Sequence, residues 1–337
     1  MAGACQEQIP KPTRPLLEAA EAGDLAQVQA HIHHKSNLEA ENQFRINALH
    51  KAVIGGHPKV VRALIDAGAK IEARDISGYT PLLRALYLGK KDLAWLLLER
   101  GAVPSQTNNY GEQALHLAAK QGYTAMCIKL LSRPDTKVNI QSLAGWTPLH
   151  LAVNKGRAET VKALLDKQAN PNLATSNGTV PMHRAVASYG PIARLLLDHG
   201  AEVNRYDARG QGVLYWAAGQ DDVELLRRLL EKGADPKAQT IVGDQPLHRA
   251  AVYGLAAIMR VLIEKGADIH AANKKGEQAL HLAYKGAHEE AARLLLGLGA
   301  DPKTRTKAGQ TPLDLAYRSG HGDRFQGLPE RVKPIKP

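Results

Sequence analysis

The run Gly145-Trp146-Thr147-Pro148-Leu149-His150-Leu151-Ala152 has a counterpart of the same design in Gly276-Glu277-Gln278-Ala279-Leu280-His281-Leu282-Ala283. The glycine that opens both recurs at Gly78, Gly111, Gly178, Gly210, Gly243 and Gly309, so that neighbours stand 32 to 34 residues apart. Histidine, or a substitute, stands five residues after each: Leu83, His116, His150, His183, Tyr215, His248, His281 and Asp314, with His50 heading the series. A second phrase lies about eighteen residues further on; Asp66-Ala67-Gly68-Ala69, Glu231-Lys232-Gly233-Ala234 and Glu264-Lys265-Gly266-Ala267 are examples. A fixed period of this length marks stacked repeats, not one closed core.

Each period reads as two short helices and a turn. Thr147 supplies a hydroxyl to the free amides of a helix start, and Pro148 at the first helical position loses no needed donor. Leu149, Ala152 and Val153 follow at helical spacing, and the second helix turns Val161, Leu164 and Leu165 inward. The Gly-Ala phrase ends it, because glycine takes the left-handed conformation of a helix stop.

The composition fits. The chain has 337 residues, 44% of them hydrophobic but only 4% aromatic, so the core must be built from Ala and Leu. The longest apolar run, Leu93 to Leu98, falls far short of the roughly eighteen residues of a membrane helix. Two cysteines, Cys5 and Cys127, exclude a disulfide framework and a cysteine zinc site. The net charge of +11 allows nucleic acid, anionic lipid or an acidic protein as partner.

With these motifs the chain resembles the ankyrin repeat family over about Pro15 to Gly320. The resemblance implies an all-α solenoid of paired antiparallel helices with β-hairpin or turn tips, about nine repeats behind an N-terminal capping helix pair. The expected layout is a flexible segment 1–12 and a repeat domain 13–321, with a loose tail 322–337. Within the domain, a cap spans 13–40 and repeats span 41–73, 74–105, 106–140, 141–173, 174–205, 206–238, 239–271 and 272–304, with 305–321 as closing cap. In the family the repeat histidine ties the hairpin to the helix start, and the tips and first helices form a concave binding surface.

Two repeats depart from the pattern. Repeat 174–205 runs through Tyr189-Gly190-Pro191 one residue short. Repeat 206–238 has Gln211-Gly212-Val213-Leu214-Tyr215-Trp216 in place of Thr-Pro-Leu-His, and Asp221 where a glycine is usual. A functional site or bend is one reading, tolerated drift the other. Repeat 106–140 carries one extra residue near Arg133-Pro134-Asp135.

The sequence offers little chemistry of its own. It has no phosphate-binding loop, nucleophile elbow or His-Glu-x-x-His motif. His31, His33 and His34 lack an acidic or cysteine companion, and Cys127 reads as a buried thiol. The expectation is a non-enzyme with no cofactor and no metal. Met1 to Cys5 shows no signal peptide, so a cytoplasmic chain is expected. The alternative is a periplasmic lipoprotein supporting an envelope enzyme. Gly3-Ala4-Cys5 resembles the end of a lipoprotein signal, and Gln6 to Pro15 would then be a tether.

The charge pattern says more. Positions one, four and five residues after the histidine should face the groove. Of 27 such positions eight are basic, Lys51, Arg84, Lys120, Lys155, Arg184, Arg249, Lys285 and Arg318, and none is acidic. Acids gather on second helices, as at Asp66, Glu99, Asp198 and Glu264. Tyr87, Trp216 and Tyr253 join the basic set, while Tyr79, Tyr110 and Trp146 follow tip glycines, where packing between hairpins is the alternative. Tyr, Trp and Arg are the usual anchors of protein interfaces. The expected function is a monomeric scaffold or adaptor that docks an acidic segment of another protein. Arg184, Trp216, Arg249 and Tyr253 are its anchors. An anionic small ligand or oligonucleotide in the same groove is the rival.

Overall fold

A computed structural model describes residues 9–325. The described residues form nineteen α-helices and one 3-10 turn, and the chain divides into two compact units that meet between Ala169 and Asn170.

The first unit holds five helix pairs: α1 (Leu16–Ala22) and α2 (Leu25–His33), α3 (Ala48–Gly55) and α4 (Pro58–Asp66), α5 (Pro81–Tyr87) and α6 (Lys91–Glu99), α7 (Ala114–Gln121) and α8 (Thr124–Leu131), α9 (Pro148–Asn154) and α10 (Ala158–Asp166). The second holds α11 (Pro181–Ser188) and α12 (Gly190–Asp198), α13 (Val213–Ala217) and α14 (Val223–Glu231), α15 (Pro246–Val252) and α16 (Ala256–Glu264), α17 (Ala279–Lys285) and α18 (Glu289–Gly297), then α19 (Pro312–Arg318) and the 3-10 turn Gly322–Phe325. Within each unit the first helices pack in series, α1 to α9 and α11 to α19.

Residue size explains the stacking. Ala52, Ala85, Ala118 and Ala152 are fully buried on first helices, where small side chains let neighbours approach. Leu64, Leu97, Leu130 and Leu164 are buried at one position of successive second helices, and Leu196, Leu229, Leu262 and Leu295 repeat it in the second unit. Each such leucine stabilises the stack by about 1.5–3 kcal/mol. Thr80 and Thr147 accept from the backbone N–H groups of Leu83 and His150 at 3.3 and 3.2 Å, and prolines open α5, α9, α11, α15 and α19. Gly56 and Gly122, at φ 85° and 83°, stop α3 and α7 in the left-handed conformation.

The repeat histidines reach further than the helix start. The Nδ1 atoms of His116, His183, His248 and His281 accept from the N–H three residues earlier at 3.0–3.2 Å. A neutral imidazole then carries its proton on Nε2. That atom donates to the carbonyls of Trp146, Arg205, Glu277 and Thr304 at 3.0–3.1 Å, in the following repeat for His116 and His248 and at the last residue of the same repeat for His183 and His281. Burial pushes the pKa values of these four rings and of His50 below the ordinary 6.5.

The tips are hydrogen-bonded turns, not paired strands; the isolated bridge Tyr206–Gly212 is the sole β pairing among the described residues. Asp75 Oδ1 accepts from the N–H groups of Ser77 and Tyr79 at 2.9 and 3.0 Å, and Asn108, Asp207 and Asn273 do the same in their repeats. Single backbone bonds join successive tips, among them Ile76 N–H to Phe44 at 2.9 Å and Leu143 N–H to Tyr110 at 3.0 Å.

The irregular repeats have local explanations. Tyr189 alone separates α11 from α12, and α13 is only five residues long. Arg194 grips both oxygens of Asp222 at 2.7 and 2.9 Å, while Asp222 caps α14 by accepting from Leu225 N–H. The tail expected to be loose from residue 322 begins instead with an ordered turn. Phe325 is 4% exposed and stacks on Tyr284 with centroids 4.1 Å apart. Aromatic burial holds these four residues, which polar composition alone did not suggest. Residues 326–337 and Cys5, with the lipoprotein reading built on it, lie outside the described residues.

Candidate functional site

The second unit gathers three of the candidate residues. Helix α13 contributes Tyr215 and Trp216, α15 contributes Arg249, and Tyr253 follows it. The Arg249 guanidinium carbon lies 4.9, 4.6 and 5.3 Å from the ring centroids of Tyr215, Trp216 and Tyr253. These distances fall within the range of attraction between a cation and aromatic faces. Gly219 makes room for the arrangement, since a Cβ there would stand 2.5 Å from Arg249 Nε. Among the described residues no carboxylate lies within 4 Å of this guanidinium. Arg249 Nε and Trp216 Nε1 are buried donors with no acceptor. Tyr253 is half exposed, and Arg184 is exposed on α11. Lys285 lies 3.8 Å from Glu277.

Tyr215 lies outside the groove positions that the repeat pattern marks. It occupies the histidine position of its repeat, and it meets the next repeat through the Arg249 side chain, which it both hydrogen-bonds and packs against, in place of a backbone carbonyl. The signal was its departure from histidine beside Trp216.

The first unit holds an open cleft of about 670 Å³ between the tips and the first helices α5, α7 and α9. Tyr79, Tyr87, Tyr110 and Trp146 line it with Arg84, Lys120, Lys155, Leu143 and Glu112. Arg84 is not a steering charge: it is ion-paired with the buried Asp75 and sits 4.5 Å over the Tyr79 ring. Tyr79 is 5% exposed, a packing residue, and burial pushes its phenol up to about 12. Tyr110, in contrast, is 61% exposed and Leu143 80%. Lys120 Nζ lies 5.6 Å from the Tyr87 centroid. Neither Lys120 nor Lys155 has a carboxylate within 4 Å among the described residues. Exposed Phe44 and Ile76 continue the apolar row on the preceding tips.

Lys51 leaves the set for the same reason as Arg84, being bound to Glu21 at 2.7 Å. Counting acids along first helices missed Glu21, Asp75 and Glu277, because these reach the basic residues from the cap helix and the turns. The residue after the histidine also faces the seam between repeats, where Leu117, Leu151, Leu282 and Leu315 are buried. No helix among the described residues is long and apolar enough to cross a membrane.

Comparison with known proteins agrees with this architecture. The description of ankyrin repeats in three copies matches residues 16–108, 115–207 and 205–273, and that of ankyrin repeats in many copies matches 262–316. The human SMC5-SMC6 complex localization factor protein 1 (Homo sapiens) is 37% identical over 111 residues, covering 32% of this chain and 10% of that protein. The B-cell lymphoma 3 protein homolog of Mus musculus is 30% identical over 190 residues, 53% of this chain and 42% of the relative. A probable E3 ubiquitin-protein ligase, XBOS32 of Oryza sativa subsp. japonica, is 30% identical over 193 residues, 48% and 39% of the two chains. The matched stretches thus span less than half the length of each of these relatives. With the repeat descriptions covering most of residues 16–316 and the helix pairs following the same period, the chain belongs to the ankyrin repeat family.

Proposed function

We propose that the chain is a non-catalytic binding module that docks an acidic segment of a partner protein, with Arg249, Trp216 and Tyr253 as anchors and Tyr215 as support. Ankyrin repeats support a protein-interaction role, and the relatives' names, a complex localization factor among them, fit recognition. The observation that carries the finer reading is the Arg249 guanidinium, held against three rings with no carboxylate of its own. A carboxylate is the natural complement of a planar guanidinium fork. Rings on either side exclude water and strengthen the contact, the usual surroundings of an interface anchor.

The test is capture from native lysate by the wild type and by Arg249→Glu, matched by circular dichroism and quantified by mass spectrometry. Partners lost with the variant should share a segment rich in Asp and Glu. Equal capture by both proteins, or loss of partners lacking any such segment, would end the proposal.

A further inference from the structure

The first-unit cleft differs in chemistry from the arginine cluster. Its charge comes from two ammonium groups, Lys120 on α7 and Lys155 at the end of α9, which line it together with apolar and aromatic side chains. Its internal cation, Arg84, is already neutralised, and Glu112, the carboxylate in its wall, accepts from Asn108 Nδ2 at 2.8 Å. Tyr110 and Leu143 project from adjacent tips joined by one backbone bond, and both are largely exposed. Trp146 lines the same cleft, its ring edge-on to His150 with centroids 5.7 Å apart. Gln121 donates to the backbone carbonyl of Tyr87 at 3.0 Å.

We infer that this cleft is a second docking site, taking an extended partner peptide in which apolar or aromatic side chains alternate with carboxylates. An extended chain sends successive side chains to opposite sides. One set meets the apolar wall of Tyr110, Leu143 and Trp146, and the other reaches Lys120 and Lys155. The volume lies within the roughly 300–1,000 Å³ of ligand sites, while the open form suits a peptide laid along it. Leu143 decides the class of occupant. It is the most exposed large apolar side chain described, and an aliphatic group adds burial for an apolar residue but no stacking face for a base. The inference rests on the reading of the chain as a binding module, not on the Arg249 cluster.

The probe is a fluorescein-labelled heptapeptide, Glu-Asp-Leu-Glu-Phe-Asp-Glu, titrated by anisotropy against the full chain. Controls replace its Leu and Phe with Ser, or its acids with Lys. The probe should bind and both control peptides should not. Lys120→Glu with Lys155→Glu, and separately Leu143→Ser, should each weaken binding about tenfold or more, a difference of about 1.4 kcal/mol. All titrations are repeated in the Arg249→Glu background, which removes the arginine cluster as a second site for the acidic probe, and the cleft effects should persist there. Circular dichroism keeps folding in view, and Leu143 is exposed enough that its replacement does not disturb the core.

Three outcomes would overturn the inference. The probe and its Ser control could bind alike, or the probe could show no binding up to about 1 mM, or the cleft variants could bind as the wild type does. ADP that binds in a Lys120-dependent manner while the peptide does not would overturn it in favour of a nucleotide. Should the probe fail while capture still depends on Arg249, the cleft falls and the proposed function stands. Should capture be indifferent to Arg249 while the probe binds the cleft, the reverse holds.

Discussion

Lowering the pH from 7.5 to 5.5 should unstack this molecule from its histidines outward. Burial lowers the pKa values of His50, His116, His183, His248 and His281 below 6.5, so the folded rings resist the proton that the unfolded chain accepts. Protonation would also place a second N–H on Nδ1, which in His116, His183, His248 and His281 already faces a backbone N–H. The unfolded state therefore binds more protons as the pH falls, and stability declines with pH. The stabilisation is present in full above about 6.5 and drains away below it, down through the lowered folded values. A ring that stays neutral in the folded state throughout loses about 1.4 kcal/mol between pH 7.5 and 5.5. Five such rings set an upper limit of about 7 kcal/mol, a large part of the roughly 5–15 kcal/mol typical of a domain. Asp and Glu hardly titrate in this interval, with ordinary values near 4, so the effect belongs to histidine. Urea unfolding followed by circular dichroism at five pH values measures it. The second unit, with three of the rings against two, should lose the more, and hydrogen exchange separates the units. A change below about 1 kcal/mol across the interval would refute the picture of buried neutral imidazoles.

Leu229→Ala should cost about 2–5 kcal/mol, because the residue is fully buried in the second-helix leucine series. Tyr253→Ala should change urea stability by about 0.5 kcal/mol or less, as for most surface positions. Cys127 should resist a thiol reagent until the chain unfolds, since burial raises its pKa to about 12; rapid labelling in native buffer would contradict this. Gly219→Ala should displace the Arg249 side chain and weaken capture of Arg249-dependent partners; unchanged capture would show that the space above Gly219 is not needed.

Much of the fold was legible because the repeat constrains residue types at fixed positions. Pro148 and Thr147 mark a helix start by their chemistry, and Leu164 and its counterparts mark the buried face by their spacing. The site was legible only in part. Trp216, Arg249 and Tyr253 do come together, since one period separates Trp216 from Arg249 and stacking turns that period into contact. Lys51 and Arg84 misled for the same physical reason: their partners Glu21 and Asp75 lie outside the first-helix positions that were counted. A turn aspartate that caps its own tip and pairs with an arginine nine residues on leaves no periodic trace. Phe325 follows the last helix and is placed by contact with Tyr284, which no local pattern announces.

The most direct measurement is a charge-swap cycle between Arg249 and the acidic segment of a captured partner. Dissociation constants are determined for wild type and Arg249→Glu, each against the native segment and against the segment with its acids changed to Lys. Each single change should weaken binding and the two together should restore much of it, a coupling of about 1.5 kcal/mol or more, as close charge pairs across interfaces show. Additive losses, with no restoration in the double change, would contradict the claim that Arg249 is the group that reads the partner's carboxylates.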